Sequence, residues 1–160
     1  MLTLGIDPGT ATTGFGVIAE ERDKLVFIEH GIIATSPKEN AQIRLRKIYG
    51  ELKKLIIKHQ PEIIAIEKLY FGTNTKTAIA VGQARGVALL AAAEFKVPVA
   101  EYTPLQVKMA ITGYGRAEKK QIQQMVKTLL GLKDVPRPDD AADALAIAIC
   151  HIHSYRLLNV

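Results

Sequence analysis

The chain has 160 residues, of which 48% are hydrophobic and 23% charged, and this length and composition predict one globular domain over residues 1–160. The sequence has neither the regions of a signal peptide nor a run of about 18 apolar residues, so we expect no membrane span. Cys150 is the single cysteine, which excludes an intrachain disulfide and is typical of a cytoplasmic protein. We expect Cys150 to be a small core residue.

The first half of the chain contains predicted strands and one predicted helix. Apolar residues at a spacing of two predict strands over Leu2–Asp7, Gly14–Ala19 and Leu25–Thr35. Ala41–His59 has one apolar face at helical spacing, which predicts an amphipathic helix. The short apolar run Glu62–Leu69 predicts a buried strand in the middle of a sheet.

The second half of the chain is mostly helical. Its pattern predicts a long helix over Thr75–Phe95 and a strand over Val97–Tyr102. Three further helices are predicted over Leu105–Ile111, Arg116–Leu130 and Asp139–Ser154. A meander of three strands followed by alternating helices and strands predicts an α/β fold. Such a fold has a mixed five-stranded sheet with helices on both faces.

One segment of the chain carries an excess of positive charge equal to the net charge of the whole protein, which is +5. Residues 105–133, which we call the basic segment, contain the single acid Glu118. The bases of the basic segment are Lys108, Arg116, Lys119, Lys120, Lys127 and Lys133. This charge favours binding to the phosphates of a nucleic acid, although a solvated basic helix face would give the same pattern.

Five carboxylates stand where predicted strands end or where the last helix begins. Asp7 and Glu67 lie at the ends of the first and fourth strands, whereas Asp139, Asp140 and Asp143 open the last helix. Most have an ordinary explanation, because Asp7 precedes Pro-Gly as in a turn and Asp139 stands where an N-cap would. Asp143 is different, since it lies among apolar residues where an unpaired charge is costly.

A bound divalent cation would explain these carboxylates together. Asp140 and Asp143 are three residues apart and so point from one face of a helix. Converging carboxylates raise one another's pKa unless a cation lies between them, and carboxylate oxygens are ligands that Mg²⁺ and Mn²⁺ prefer. Two such ions about 4 Å apart can drive phosphodiester hydrolysis. Spacing alone does not bring the strands and the helix together, so scattered caps and turns are the alternative.

Five segments, in chain order, resemble those of one protein family. They are LGIDPGTATTGFGVI, AIEKLYFGTN, GQARGVAL, AEKKQIQQMVKTLL and DDAADALAIAICH, and together they resemble the RuvC-type Holliday junction resolvases of bacteria. The resemblance implies an RNase H-like fold and a homodimeric endonuclease that uses Mg²⁺ or Mn²⁺. It implies paired symmetric nicks in four-way DNA junctions, with 5′-phosphate and 3′-hydroxyl ends, in recombination and repair. It also implies a branch-migration complex of a junction-binding protein and a motor ATPase as partner.

The resemblance further implies roles for individual residues. Four acids would hold two metal ions and act in catalysis: Asp7, Glu67, Asp140 and Asp143. Asp139 is an extra acid in this scheme, and the family varies at the position of Asp140. Six residues would contact DNA: Tyr70, Phe71, Lys108, Arg116, Lys119 and Lys120. The glycines after Asp7 would let a phosphate approach the backbone closely.

The predicted helix Thr75–Phe95 is the candidate dimer surface. A four-way junction has two-fold symmetry, and two symmetric nicks require two identical active sites, which a two-fold homodimer provides. Gly82, Gly86 and the run Ala91–Ala93 are small enough to permit close approach of a second copy. Small residues would serve equally well where the helix packs on its own sheet.

Three other functions are compatible with the sequence. The stretch GIDPGTATTGFGV also resembles the phosphate-binding hairpin of actin-like and sugar-kinase-like ATPases, which need two such domains. A non-enzymatic junction-binding scaffold would use only the basic segment and would leave the carboxylates without a role. A nuclease of the same fold could act on RNA or on other branched DNA.

His151 and His153 are two residues apart and face different ways on a helix, so we expect no zinc pair.

Overall fold

The computed structural model describes residues 1–69 and 75–158 of the chain. Its strands are β1 (Leu2–Asp7), β2 (Thr12–Glu21), β3 (Lys24–Ala34), β4 (Ile63–Glu67) and β5 (Val99–Tyr102). Its helices are α1 (Ala41–His59), α2 (Thr75–Glu94), α3 (Pro104–Thr112), α4 (Lys119–Leu129) and α5 (Asp139–Leu158). The α/β class and the order of the elements are those predicted from the sequence.

The strands of the described residues form one mixed sheet in the order β3-β2-β1-β4-β5. β2 is antiparallel to β1 and β3, whereas β4 is parallel to β1 and β5. Because Ile6 in β1 pairs with Ile66 in β4, the next residues, Asp7 and Glu67, lie side by side at the C-terminal ends of these two inner strands. The sheet therefore brings two of the predicted site residues together.

Helices cover both faces of the sheet, as predicted. One core includes Ile6 and Leu52 and packs α1 and α2 on the sheet. The core on the other face includes Ile18 and Leu145 and packs α5, with α3 and α4, on the sheet. Cys150 is buried in this second core, which confirms its predicted place. Among the residues that the structure describes, every helix is too short or too polar to cross a membrane.

α5 packs so closely on β1 and β2 at two positions, Gly5 and Gly14, that only glycine fits there. A Cβ atom at Gly5 would overlap the carbonyl oxygen of Ala144, and one at Gly14 would overlap that of Asp140. Gly14 is also the sheet partner of Asp7. The sequence predicts that the glycines after Asp7 admit a phosphate, whereas in the structure Gly14 admits the backbone of α5. This packing places the first turn of α5 beside the end of β1.

Local interactions shift several predicted helix ends. α4 begins at Lys119 rather than Arg116 because Glu118 and Gln121 form a reciprocal capping box. Arg116 therefore lies in the loop before the helix. α4 ends near its predicted C-terminus, and the apolar pattern that predicted this helix is correct.

α5 begins at Asp139, as predicted. The carbonyl oxygen of Pro138 accepts hydrogen bonds from the backbone nitrogens of Ala141 and Ala142. Asp139 is thus the first residue of the helix, as the predicted range Asp139–Ser154 has it, and the alternative in which Asp139 is only an N-cap is excluded. As a first-turn acid, Asp139 still lies near the positive end of the helix dipole. The helix continues to Leu158, beyond the predicted end at Ser154.

α2 has a buried face and an exposed face. Ala84, Ala88, Ala91 and Ala92 are buried within the core that also contains α1. The prediction that Ala91 lies on a dimer surface is therefore wrong, because its small side chain serves packing within the chain. The exposed face carries Ile79, Gln83, Gly86, Leu90 and Ala93.

We expect a methyl group at Gly14 to force α5 away from the sheet. Replacing Gly14 with alanine should lower the free energy of unfolding by at least about 2 kcal/mol and the melting temperature by roughly 5 °C or more. Gly50→Ala is the matched control, because a Cβ atom at Gly50 in α1 meets nothing within 4 Å. Calorimetry that gives both variants the same melting temperature would contradict this role for Gly14.

Candidate active site

Three aspartates from two elements of the fold converge at the C-terminal end of the central strand β1. Asp7 ends β1, and Asp140 and Asp143 lie one helical turn apart at the start of α5. One carboxylate oxygen of each lies within 4.8 Å of the others. We call these three residues the acidic cluster. The structure thus brings the first strand and the last helix together, as the metal-site interpretation of the sequence requires.

The acidic cluster borders a cleft of about 280 Å³. Asp7 and Asp143 lie on its wall together with Glu67, Lys108 and Lys119. Glu67 ends β4 next to Asp7 but does not belong to the group of described residues whose ligand atoms all lie within 4.8 Å of one another. Glu67 therefore stands beside the acidic cluster, on the wall of the same cleft.

Burial and mutual repulsion disfavour negative charge at this site. Burial and then the neighbouring carboxylates raise the pKa of Asp7 from 3.8 to about 8, although the charge of Lys119 acts to lower it. Burial and the charge of Asp143 raise the pKa of Glu67, which Lys108 partly offsets. Burial also raises the pKa of Asp143 despite the hydrogen bond from Lys119. Without a bound cation, the cleft therefore holds too little positive charge to balance its carboxylates.

The residues of the acidic cluster fit a hard divalent cation. Carboxylate oxygens that lie within 4.8 Å of one another can share one ion, because hard cations bind oxygen at about 2.0–2.6 Å. The cluster offers only oxygen ligands, which favours magnesium-like and manganese-like ions over zinc. A cation among these carboxylates would also remove the repulsion that raises the pKa of Asp7.

Lys119 supplies positive charge at the rim of the acidic cluster. Its Nζ atom donates a hydrogen bond to Asp143 Oδ2 at 3.0 Å and lies 3.5 Å from Asp139 Oδ2. Burial acts to lower the pKa of Lys119, but the hydrogen bonds and charges of these two carboxylates outweigh it and raise the pKa. Lys119 is therefore an ammonium ion that bridges two carboxylates.

Asp139 has a different neighbour from the other acids at the start of α5. Its Oδ1 atom accepts a hydrogen bond from Gln123 Nε2 at 3.0 Å, and it lies outside the acidic cluster. Sequence reasoning missed Gln123. A signal was present, because Lys119 and Gln123 are four residues apart on α4 and therefore share one face of the helix.

The structure places two of the predicted DNA-binding residues on the cleft wall and two on the exposed surface. Lys108 and Lys119 are on the cleft wall. Arg116 in the loop before α4 and Lys120 in its first turn are exposed to solvent. The other two predicted contacts lie outside the described residues and stay predictions: Tyr70 and Phe71.

The two histidines near the end of α5 have separate partners. The Nδ1 atom of buried His151 lies 2.8 Å from the hydroxyl oxygen of Tyr102 in β5. The Nδ1 atom of His153 lies 3.1 Å from the carbonyl oxygen of Ala110 in α3. Burial raises the pKa of the adjacent Cys150 thiol to about 11, which keeps it protonated and unreactive. These residues therefore serve the packing of α5.

Comparison with known proteins identifies one family. Residues 3–151 match the family described as Crossover junction endodeoxyribonuclease RuvC. Proteins of that description from Desulfitobacterium hafniense and Syntrophomonas wolfei are 56% and 55% identical to this chain. These alignments cover 99% and 98% of this chain and 96% and 91% of the relatives.

Solved structures give the same result for the fold. The Thermus thermophilus RuvC structure is 40% identical, with a TM-score of 0.92, over 98% of this chain and 96% of that one. The T. thermophilus RuvC in complex with a Holliday junction substrate has a TM-score of 0.93 at the same identity and coverage. This similarity confirms the RNase H-like α/β fold that the sequence resemblance implies.

The raised pKa of Asp7 predicts that mild acid stabilises the metal-free protein. Asp7 binds a proton below about pH 8 when folded but only below about pH 4 when unfolded. The stability penalty is therefore present above pH 8 and is lost as the pH falls toward 4. In EDTA, wild type should gain melting temperature relative to Asp7→Asn between about pH 8.5 and pH 6. Identical pH profiles for the two proteins would contradict the shift.

Proposed function

The chain belongs to the RuvC family of crossover junction endodeoxyribonucleases, and on that premise we propose that it resolves four-way DNA junctions by paired symmetric nicks. The reaction is phosphodiester hydrolysis in recombination and repair, which leaves 5′-phosphate and 3′-hydroxyl ends. The observation that carries the proposal is the acidic cluster in a cleft whose wall also holds Lys108 and Lys119. The T. thermophilus relative in complex with a Holliday junction substrate supports this choice of DNA.

The nuclease proposal gives every charged group of the cleft a role. A non-enzymatic scaffold would need the basic segment, but converging carboxylates would only repel the phosphates that it binds. We take residues 1–160 as one nuclease domain, because both hydrophobic cores pack on the same sheet. An ATPase of the actin-like type needs a second such domain to enclose its nucleotide.

The proposed cofactor is Mg²⁺ or Mn²⁺, with two ions in each active site. Asp7, Asp140 and Asp143 would hold one ion, and Glu67 would complete the site for a second from the side of β4. When bound, such ions polarise the scissile phosphate and activate water for in-line attack. The carboxylates must lose their protons to bind a cation, so the raised pKa of Asp7 links metal binding to proton release.

The chain's own cationic residues would position the DNA. Lys108 and Lys119 lie on the cleft wall, where their ammonium groups can donate to the scissile phosphate as negative charge develops on it. Arg116 and Lys120 are exposed and would bind further phosphates of the DNA backbone, which fixes the position of the DNA without reading its sequence. By the family resemblance, an aromatic ring of Tyr70 or Phe71 would stack on an opened base.

We further propose a homodimer formed through the exposed face of α2. Ile79 and Leu90 on this face are 65% and 62% exposed, and Gly86 between them would admit a close neighbour. The spacing of the exposed residues places them on a single helical stripe. Two-fold symmetry would align two active sites with the two symmetric strands of a junction.

The branch-migration complex is the proposed partner in the bacterial cytoplasm.

Removing one ligand charge should abolish cleavage while junction binding is retained. We expect Asp7→Asn, Glu67→Gln and Asp143→Asn each to lower the nicking rate by at least about 100-fold, because each removes a cation ligand at nearly constant shape. Binding should hold or tighten, since less negative charge faces the phosphates. The measurement is strand scission of a synthetic four-way junction with Mg²⁺, beside an electrophoretic binding assay in EDTA.

Asp134→Asn is the matched control for charge, because Asp134 is an exposed acid in the loop before α5. It should cleave at the wild-type rate. If the wild type makes no nicks in any four-way junction at any Mg²⁺ concentration, the proposed function fails. If all three ligand variants keep wild-type rates, the acidic cluster is not the active site.

The dimer proposal predicts that Gly86→Glu yields a folded monomer. A charged side chain at this position meets open space within the chain but would be buried unpaired in an interface. Sedimentation should show a monomer with an unchanged circular dichroism spectrum, and paired nicks should be lost. Gly50→Glu on α1, where a Cβ atom also meets nothing within 4 Å, should stay dimeric. A wild type that sediments as a monomer and still resolves junctions would overturn the proposal.

A further inference from the structure

We propose that Asp139 is a positioning residue for Lys119. Its carboxylate, oriented by Gln123, holds the Lys119 ammonium at the rim of the acidic cluster when a divalent cation occupies Asp143. This inference rests on the proposed function, because it assigns a metal to the cluster and a phosphate-facing role to Lys119. It assigns Asp139 neither a metal bond nor a contact with the substrate.

The contacts of Lys119 and Asp139 carry the proposal. Lys119 Nζ is 3.0 Å from Asp143 Oδ2 and 3.5 Å from Asp139 Oδ2, so it lies between the two carboxylates. Asp139 uses its other oxygen to accept the hydrogen bond from Gln123 Nε2 at 3.0 Å. The two oxygens of Asp139 therefore have two different partners, and Gln123 fixes the orientation in which Oδ2 faces Lys119.

Asp139 and Asp143 differ in their relation to the metal site. Asp143 belongs to the acidic cluster, and its side chain is 32% exposed, whereas Asp139 lies outside the cluster and is 54% exposed. A cation bound at Asp143 would repel the ammonium of Lys119 because both carry positive charge. Asp139 is the carboxylate within reach that the cation does not use. Lys119 can transfer to it by a small movement and stay at the cleft.

This arrangement predicts a competition that Asp139 relieves. In its absence, Lys119 would have only Asp143 to bind, and a cation would have to displace it fully. The affinity for the cation would fall, and Lys119 would no longer be held at the cleft. A simpler role for Asp139 is to stabilise the positive end of the α5 dipole, and a role as a distant metal ligand is another. Neither of these depends on Lys119, which makes a double-mutant cycle decisive.

The first arm of the test measures Mn²⁺ binding by calorimetry on the full chain without DNA. We expect Asp139→Asn to weaken Mn²⁺ binding about 5-fold in the presence of Lys119, but less than about 2-fold in a Lys119→Met background. Gln123→Met changes no charge and should weaken binding about 2-fold with Lys119 and not at all without it. Asp139→Glu should restore most of the affinity. Gln124→Met, at the next residue of α4, is the control and should have no effect.

The second arm measures single-turnover nicking of a synthetic four-way junction at saturating Mg²⁺. Asp139→Asn should slow nicking several-fold with unchanged junction affinity, and the slowing should vanish in the Lys119→Met background. Equal effects of Asp139→Asn in both backgrounds, or no effect of Asp139→Asn and Gln123→Met on Mn²⁺ binding, would overturn the proposal. If the wild type nicks no junction, the proposed function fails, and the Mn²⁺ cycle still decides the role of Asp139.

Discussion

The close packing of α5 on β1 and β2 determines where the candidate catalytic groups lie. Gly14 pairs with Asp7 in the sheet and lies beneath the carbonyl oxygen of Asp140, so the absence of a side chain there permits the short distance between strand and helix. Gly5 has the same role in β1, beneath the carbonyl oxygen of Ala144. Any side chain at these positions would separate the acids of β1 from those of α5. The geometry of the site is thus a consequence of backbone packing in the core.

That packing has an electrostatic consequence. It buries carboxylates that repel one another, which raises the pKa values of Asp7, Glu67 and Asp143. The fold tolerates these buried carboxylates because Lys119 places a positive charge beside Asp143 and because a bound cation would supply more positive charge. Ligand sites commonly carry such local instability, which the ligand relieves. The same repulsion between carboxylates therefore lowers the stability of the metal-free protein and raises its affinity for a cation.

The sequence predicted the fold well because the periodic patterns in it are strong. The ends of β1 and α1 agree with the structure, and the order of strands and helices led directly to a mixed sheet. Local capping explains the error at the start of α4, since the pairing of Glu118 with Gln121, and not the apolar pattern, sets where that helix begins. Small residues were ambiguous. A stripe of alanines can pack against the chain's own core or against a second copy of the chain, and the sequence does not distinguish the two. In the structure Ala91 packs in the chain's own core.

The site was predictable as a set of residue types but not as a geometry. A charge at Asp143 within an apolar helix pointed to a cation, but its convergence with Asp7 depends on long-range packing at Gly14. The contact of Gln123 with Asp139 joins side chains of two different helices. Its helical phase with Lys119 was visible in the sequence, whereas the crossing of α4 and α5 was not. Side-chain partners across elements require the tertiary structure.

The most direct test of this account is anomalous diffraction from crystals of the metal-free chain soaked in Mn²⁺. The account predicts an anomalous peak in contact with the carboxylate oxygens of Asp7 and Asp143, with Lys119 displaced from Asp143 toward Asp139. A well-ordered acidic cluster without an anomalous peak at saturating Mn²⁺, and with Lys119 still bonded to Asp143, would contradict it.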